Sequence, residues 1–467
     1  MRTGLCWLRR DLRLYDHPAL SEALKENDRV YVAFIFDDAI LLPILKKATQ
    51  DRRVQFICQS LVAVNRGLVS SGGGVILRRG NPVEIIPKLM QELGADTLYF
   101  NRDYSPYALT RDTAVTQDVE RSGYSVRSFK DHVMAEPHEI MTQSGTPYRV
   151  FTPYSKAWFA RFPMDEAIPT WDVEFSRLAP VLVAPEFESW EQLLAYAGFQ
   201  PDSLDLPGGT LAGRVRLNEF AKILDDYDTR RNYFADEGTS RLSVYLRHGC
   251  VSVRECLNMA ILRPSEGSRK WITEFIWREF YQMIFFHFPW VNDRPFQAKY
   301  HDLKVTTSEA YLAAFKAGMT GYPLIDAAMR CLNQTGWMHN RLRMVVASFL
   351  TKILLVDWKR GERYFSWKLL DYELQSNNGG WQWAAGIGCD AVPYFRIFNP
   401  VTQSKDYDPD GEFIRRYCPE LRVLNRTQIH CPAEAKSLPN GFILGRDYPQ
   451  PIVAYKSQRQ AALILYR

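Results

Sequence analysis

The first 130 residues alternate short apolar runs with amphipathic segments. Val30–Phe36 is a continuous run of β-branched and aromatic residues, which is typical of a parallel strand that is buried on both faces. Three further runs predict strands, and two segments between them have a helical period: Gly4–Leu8, Val75–Leu77 and Thr97–Phe100, then Arg53–Val69 and Val83–Leu93. This order predicts a doubly wound α/β domain over 1–130, whose ligands bind at the carboxyl ends of its strands.

Residues 131–205 are rich in Pro and aromatic residues and have no clear period, so we expect a connector there. From 206 to 467 the helical period dominates, which predicts an all-α domain. The expected fold class is therefore α/β plus all-α. The main predicted helices of the second domain are Phe220–Tyr227, Arg269–Phe288, Ser308–Ala317, Pro323–Gln334, Met338–Val356 and Arg363–Leu370.

The composition excludes several classes of protein. Hydrophobic residues make up 46% of the 467 positions, which argues against global disorder, and the net charge of +5 permits an acidic partner without requiring one. The eight Cys residues have no spacing suited to zinc, so we predict no metal site and reduced thiols in a cytoplasmic protein. No apolar run reaches the roughly 18 residues of a membrane helix.

The segment from Asp371 to Trp383 combines a carboxylate, two Asn residues, Gly379-Gly380 and two Trp residues. The Gly-Gly break lets the backbone approach another group closely, because no Cβ stands in the way. The indoles of Trp381 and Trp383 supply flat surface for stacking. We interpret the segment as one wall of a pocket for a planar redox cofactor.

Three other segments carry candidate chemistry. Glu237–Ser243 places hydroxyls after a Gly, which suits phosphate binding at a helix N-terminus, although a plain helix cap has the same pattern. On a helix, Glu274, Trp277, Arg278 and Tyr281 share one face, which suits a polar aromatic ligand or an internal Glu–Arg pair.

The third segment is Trp337–Met344. Its residues Trp337, Asn340, Arg341 and Met344 would share one helix face, whereas Arg343 points elsewhere and could pair with Asp371. Four basic residues near these segments could form a phosphate-binding rim, although a solvated surface role is equally compatible with each: Arg231, Arg341, Arg396 and Lys405.

These motifs resemble the DNA photolyase/cryptochrome flavoproteins, and most closely the bacterial class I cyclobutane-dimer photolyases. The resemblance is carried by Cys6–Leu20, by Glu237–Ser243 and by the segments 269–281, 321–344, 358–383 and 391–400. It spans nearly the whole chain, and it implies a Rossmann-like antenna domain followed by a helical FAD-binding domain.

The resemblance implies an FAD cofactor that is active in its reduced form. Asp371, paired with Arg343, would face the pyrimidine edge of the flavin, and the neutral amide of Asn377 would sit opposite N5. The positions that match flavin-binding residues are Tyr227, Thr239, Ser240, Arg241, Leu242, Ser243, Arg278, Arg343, Asp371, Glu373 and Asn377.

The implied activity is light-driven repair of cyclobutane pyrimidine dimers by electron transfer to a flipped-out dimer in damaged DNA, carried out by a monomer. Trp277 and Trp383 match the aromatic clamp, and Glu274 matches the carboxylate that bonds the thymine carbonyls. The other implied DNA contacts are Arg231, Tyr281, Asn340, Arg341, Met344 and Arg396. The alternatives are a cryptochrome-type photoreceptor without repair activity, which Asn377, Glu274 and Met344 argue against, and an electron-transfer flavoprotein.

Two positions depart from the family pattern. Trp381 and Trp358 match the proximal and middle members of the tryptophan relay that reduces the flavin, but Val305 occupies the distal position. We therefore expect another aromatic residue to end the relay, and the candidates are Tyr300, Trp367 and Tyr364.

The second departure concerns the antenna chromophore. Ala108 replaces an expected Glu, and Val291-Asn292 replaces a Cys-Lys pair, which weakens the case for a folate antenna. A deazaflavin, a second flavin or an empty site all remain open. Residues near strand ends that could line this pocket are Asp37, Asp38, Arg52 and Asn101.

Overall fold

A computed structural model describes residues 1–181, 187, 189–306 and 308–467 of the chain. It divides into two compact units. The sheet unit comprises 1–139, 159–225 and 240–272, and the helical unit comprises 140–158, 226–239 and 273–467. Part of the predicted connector, 182–186 and 188, lies outside the described residues.

The sheet unit is built on five parallel strands in the order β3-β2-β1-β4-β5. The strands are β1 (Thr3–Leu8), β2 (Arg29–Asp37), β3 (Val75–Gly80), β4 (Thr97–Asn101) and β5 (Ser125–Phe129). The predicted doubly wound sheet is therefore confirmed. The order reverses between β1 and β4, which is where doubly wound sheets open a crevice.

The α-helices are α1 (Pro18–Glu26), α2 (Asp38–Leu45), α3 (Arg52–Ser70), α4 (Pro82–Leu93), α5 (Pro106–Arg121), α6 (Phe151–Arg161), α7 (Trp190–Tyr196), α8 (Thr210–Ala221), α9 (Tyr227–Arg230), α10 (Ser243–Arg247), α11 (Val253–Ile261), α12 (Glu266–His287), α13 (Glu309–Ala317), α14 (Pro323–Thr335), α15 (Asn340–Ser348), α16 (Trp358–Lys368), α17 (Leu374–Ala385), α18 (Pro400–Tyr407), α19 (Glu412–Tyr417) and α20 (Tyr455–Leu465). Short 3-10 helices lie at Phe175–Arg177, Leu224–Asp226, Pro289–Asn292, Ala298–Tyr300, Pro419–Val423 and Pro432–Glu434, and Phe349–Ile353 is a π-helix.

Each unit has its own hydrophobic core. In the sheet unit, all six residues of β1 are buried, as expected for a central strand that is covered on both faces. In the helical unit, α14 and α15 contribute the densest run of fully buried residues, including Leu332, Leu342 and Val346. The predicted class of α/β plus all-α is confirmed. No helix in the described ranges is long and apolar enough to span a bilayer.

The prediction of a helix over Phe220–Tyr227 was wrong. Helix α8 ends at Ala221, a 3-10 turn follows, and α9 begins at Tyr227. Helix α8 begins at Thr210 and contains Gly213, where a Cβ would lie 2.5 Å from the Val251 side chain. Gly213 interrupts the apolar period of α8, so the pattern did not predict this helix.

Two further helix boundaries were wrong for reasons of capping. The His339 side chain accepts the N–H of Arg341 at 3.1 Å, so α15 begins only at Asn340 and Trp337 does not share its face. Asp357 accepts the N–H of Lys359 at 3.0 Å, so α16 begins at Trp358, before the predicted start. The predicted helix over Met338–Val356 also changes to a π-helix after Ser348.

The interpretation of Gly379-Gly380 as a break was wrong as well. Both glycines lie inside helix α17, which ends one residue before Gly386 in the left-handed region at φ 79°. A Cβ on Gly379 would lie 2.2 Å from the Cδ1 atom of Tyr281, whereas no other part of the described chain lies within 4 Å of one on Gly380. The two positions therefore differ in function: Gly379 accommodates a neighbouring ring, and Gly380 faces open space.

Candidate functional site

The Arg343–Asp371 ion pair that the sequence predicts is present in the helical unit. The Nη2 atom of Arg343 lies 2.8 Å from Oδ2 of Asp371, and its Nε donates to the Met338 carbonyl at 2.8 Å. Asp371 is buried, and its other oxygen, Oδ1, accepts no hydrogen bond from the described residues. A buried acceptor without a donor is costly, so this oxygen suits a donor from a bound ligand.

A second buried ion pair joins α12 to the start of α17. Arg278 donates from Nε to Oε2 of Glu373 at 2.8 Å and from Nη2 to Oε1 at 3.2 Å. This two-bond geometry is the strong form of an Arg–carboxylate contact. It fixes both predicted flavin-binding side chains before any ligand arrives.

Asn377 is oriented by a residue that sequence reasoning missed. Its Nδ2 atom donates to the backbone carbonyl of Glu362 at 3.1 Å and to Oε1 of the same residue at 2.8 Å. Burial raises the pKa of Glu362. Both amide N–H groups are therefore used, and Oδ1 of Asn377 remains as a neutral acceptor. Glu362 lies in the charged stretch Lys-Arg-Gly-Glu-Arg, which looks like a solvated face in sequence.

The predicted phosphate-binding segment divides between the units: Thr239 belongs to the helical unit and Ser240–Ser243 to the sheet unit. Helix α10 begins at Ser243, as the hydroxyl pattern indicates. Just before α10 the chain makes a turn, in which Arg241 has a φ of 50° and the Leu242 N–H donates to the Ser240 hydroxyl at 3.4 Å. Tyr227, in the helical unit, is buried.

Arg231 and Glu274, both predicted to contact DNA, form an ion pair in the helical unit. The guanidinium of Arg231 lies 5.2 Å from the ring centroid of Tyr227. The exposed fractions of the two side chains, 17% for Arg231 and 29% for Glu274, leave the pair accessible from solvent. It therefore links a predicted phosphate contact to the predicted lesion contact.

The remaining basic candidates differ in how they are held. Arg341 donates to the Asn232 side chain and lies 4.0 Å from the ring centroid of Tyr407, whereas Arg396 and Lys405 are exposed. Asn340 is exposed, and Met344 is partly buried.

His339 is a second residue that sequence reasoning missed. Burial, helped by the charges of Arg341, Arg231 and Arg343, lowers the pKa of His339 to about 3. A neutral imidazole therefore caps α15 among three guanidinium groups.

The two indoles of the predicted clamp lie on different helices, Trp277 on α12 and Trp383 on α17, and both are partly buried. Phe151 stacks flat on Trp277, with ring centroids 3.6 Å apart and planes inclined by 2°. Tyr281 leans on the same indole at 5.5 Å and occupies the space that Gly379 leaves. Tyr281 is therefore a packing partner of both helices.

Trp358 and Trp381, the two tryptophans predicted to form a relay, are buried on the successive helices α16 and α17. A Cβ on Gly361 would lie 2.2 Å from the Trp381 ring, and Gly361 is three residues after Trp358 on α16. Phe365 meets Trp381 edge-on at 5.0 Å. The N–H of Thr306, next to Val305, donates to the Leu355 carbonyl at 2.8 Å, so the valine lies beside the chain that leads into α16.

The candidates for the end of the relay make different contacts. Tyr300 is buried, donates to the Tyr466 carbonyl at 3.0 Å and has the Tyr466 ring at 5.9 Å. Tyr364 donates to Oδ1 of Asn333 at 2.5 Å, and Trp367 is partly buried. Tyr466 lies outside every motif that the sequence analysis singled out.

The candidate antenna residues all have partners inside the sheet unit. Asn101 accepts the Ala19 N–H at 3.1 Å and donates to Asp11 at 2.7 Å. The other three pairs are Asp37 with Tyr107, Asp38 with Arg79 and Arg52 with Asp202. A cavity of about 10 Å³ lies beyond the carboxyl ends of β1 and β4, with room for about one water.

Family models match two parts of the chain: "DNA photolyase" at residues 4–173 and "FAD binding domain of DNA photolyase" at 271–467. A deoxyribodipyrimidine photo-lyase of Synechococcus sp. is 37% identical over 99% of this chain and 96% of its own length. The crystal structure of a bacterial class III photolyase from Agrobacterium tumefaciens superposes with a TM-score of 0.90 at 35% identity, covering 100% of this chain and 97% of that one.

A photolyase from Sulfolobus tokodaii, described with two FAD molecules and a novel light-harvesting cofactor, superposes with a TM-score of 0.84 at 30% identity, covering 99% of both chains. Similarity of this extent, over both units and nearly the full length, leaves no other family to consider. The chain belongs to the DNA photolyase family, with an FAD-binding domain in its C-terminal half.

Proposed function

We propose that this protein is a deoxyribodipyrimidine photolyase, which repairs cyclobutane pyrimidine dimers in DNA with light and reduced FAD. The observation that carries the proposal is the orientation of Asn377. Because Glu362 takes both of its amide N–H groups, Asn377 offers only an uncharged acceptor. Such an acceptor favours a protonated N5 without adding charge, which suits a reduced flavin better than a carboxylate at this position would.

Several residues would hold the cofactor. In the helical unit, Asp371 offers its open Oδ1 acceptor, and Glu373, two residues further along the chain, is paired with Arg278. When bound and excited by light, reduced FAD supplies the electron that opens the cyclobutane ring.

The DNA contacts divide into positioning and lesion-binding groups. Arg231, Arg341 and Arg396 would bind backbone phosphates, which gives affinity without sequence preference. Flipping the dimer out of the stack costs a few kcal/mol. Stacking on Trp277 and Trp383 offsets this cost by roughly 1–3 kcal/mol per base.

Glu274 and Arg231 act together in this scheme. The resemblance assigns Glu274 to the thymine carbonyls, but an ionised carboxylate only accepts hydrogen bonds, so Glu274 would bind the ring N–H groups of the dimer instead. The paired Arg231 brings donors that can reach carbonyl oxygens as negative charge builds on the dimer. Trp381 and Trp358 would conduct the electrons that keep the site reduced. We further propose that the protein acts as a monomer in the cytoplasm.

One assay tests the proposal. Purified, reduced protein is incubated with a thymine-dimer oligonucleotide under near-UV light, beside a dark control. We expect light-dependent loss of the dimer, and no such loss would refute the proposed activity in favour of a photoreceptor. The absorption spectrum of the same preparation identifies any second chromophore as folate, deazaflavin or flavin.

The variant Glu274→Ala tests the lesion contact. It should retain its flavin, because Glu274 pairs with Arg231 rather than with a predicted cofactor residue, but repair should fall. The matched control is Glu274→Gln, which keeps an acceptor of the same length and should repair more than the alanine variant. Equal repair by wild type and Glu274→Ala would remove Glu274 from the mechanism.

A further inference from the structure

The Trp277 indole packs against three aromatic rings, Phe151, Phe280 and Tyr281, of which only Phe151 lies flat on it. Phe151, the first residue of α6, covers one face of the indole at a centroid distance of 3.6 Å with nearly parallel planes. Phe280 meets both rings edge-on, at 5.7 Å in each case. A base can therefore stack on Trp277 only from the side opposite Phe151.

Phe151 is fixed in turn by the turn that follows α17. Its N–H donates to Oδ2 of Asp390 at 2.9 Å, which satisfies a donor that the first residue of a helix cannot use within the helix. The Cys389 thiol donates to the carbonyl of Arg149 at 3.0 Å, so two contacts tie the start of α6 to this turn.

Asp390 adopts an unusual backbone conformation to make this contact. Its φ of 48° is in the left-handed region, which a residue other than glycine seldom occupies, although Asp and Asn tolerate it better than others. The turn belongs to the same chain segment as α17, which carries Trp383. The helix that carries Trp383 is therefore connected to Trp277 through two contacts, Asp390 with Phe151 and Phe151 with Trp277.

We infer that Phe151 and Asp390 are positioning residues for lesion recognition: they hold Trp277 against α6 and set its placement relative to the helix of Trp383. This inference rests on the proposed function, because it assigns a purpose to the clamp. It concerns selectivity for the dimer, whereas affinity for any DNA depends on the phosphate contacts. A residue that merely fills the core would affect both alike.

The test compares dissociation constants in the dark for a duplex with one thymine dimer and for the same duplex undamaged, at one salt concentration. Losing a whole stacking contact corresponds to a loss of roughly 5- to 150-fold in affinity. Phe151→Leu keeps apolar volume but removes the flat ring. We expect it to reduce the preference for the dimer by roughly tenfold, with flavin content and affinity for undamaged DNA changed less than about twofold.

Asp390 provides a matched pair of variants that leaves the Phe151 side chain itself unchanged. Asp390→Asn keeps an acceptor and tolerates the left-handed conformation, so it should retain the preference. Asp390→Ala loses both properties and should reduce the preference in the same way as Phe151→Leu. Because both changes remove the same charge, their difference reports geometry alone.

Two results overturn the inference: a full preference for the dimer in Phe151→Leu, or equal preference in Asp390→Ala and Asp390→Asn. If Phe151→Leu does not fold, the Asp390 pair decides alone. A wild-type protein that neither prefers nor repairs the dimer refutes the proposed function itself, which is a different outcome from loss of the effect in the variants alone.

Discussion

The adjacent glycines of α17 allow the free-energy cost of overpacking to be measured separately from the gain in helix propensity. A Cβ on Gly379 would lie 2.2 Å from the Tyr281 ring, and ordinary contacts between carbon atoms lie near 3.5–4.0 Å. Tyr281 leans on Trp277, so the ring has little room to retreat. Overpacking of this kind costs about 1–3 kcal/mol.

The matched control is Gly380→Ala. No other part of the described chain meets a Cβ there within 4 Å, so alanine brings only its helix propensity, worth about 0.5–1 kcal/mol. Both glycines lie in the interior of α17, so the propensity gain is common to both variants. The difference between their unfolding free energies therefore isolates the overpacking cost, and we expect Gly379→Ala to be less stable than Gly380→Ala by about 1–3 kcal/mol.

Urea denaturation of the two flavin-free variants, followed by far-UV circular dichroism, measures this difference. Equal midpoints with equal slopes would refute the argument, since they would show that the Tyr281 ring moves without cost.

The same two variants test whether the open space beside Gly380 is needed for FAD binding. Gly380 is three residues after Asn377, so both lie on one helix face. Gly380→Ala should therefore bind FAD about tenfold more weakly, which is about 1.4 kcal/mol, despite its stability.

Three other predictions concern electron transfer, DNA affinity and pH. Trp358→Phe should abolish photoreduction of oxidised FAD, and Trp367→Phe should leave it intact if the relay needs none of the three candidate end residues; spectra recorded under illumination decide, and loss in Trp367→Phe would assign the end of the relay to Trp367. In Arg341→Ala, the logarithmic salt slope of DNA binding should fall by about 1, and an unchanged slope would exclude a phosphate contact. Burial lowers the pKa of Lys352 from its usual 10.5 to about 8. Because the unfolded chain then binds more protons above pH 8, the stability of wild type relative to Lys352→Met should rise between about pH 8 and 10.5, by roughly 3 kcal/mol; a flat difference in urea titrations would contradict it.

The strands and the long helices were predictable because their apolar periods are continuous. Strand β2 and helix α12 follow their predicted ranges within three residues at each end. Strand β5 was not predicted, since it is a polar edge strand whose residues are exposed or only partly buried. Capping by His339 and Asp357 moved two helix starts, and a cap is a contact between specific atoms that a period does not show.

The candidate site divides in the same way. The Arg343–Asp371 pair was predicted because the charges on two motifs were complementary and had no other evident purpose. Glu362, which orients Asn377, was not predicted, because a Glu in a charged stretch looks the same in sequence whether it is solvated or buried. Its role depends on which helix lies opposite.

The sequence by itself determined the fold class, the family and the chemical types at the site, because period, composition and motif spacing are properties of the chain alone. Only the tertiary structure decided which groups meet. In the folded protein the Tyr281 ring fills the space beside Gly379, Glu362 accepts the amide N–H groups of Asn377, and Phe151 covers one face of Trp277. Each of these contacts joins residues distant along the chain, and their distances depend on how whole helices pack.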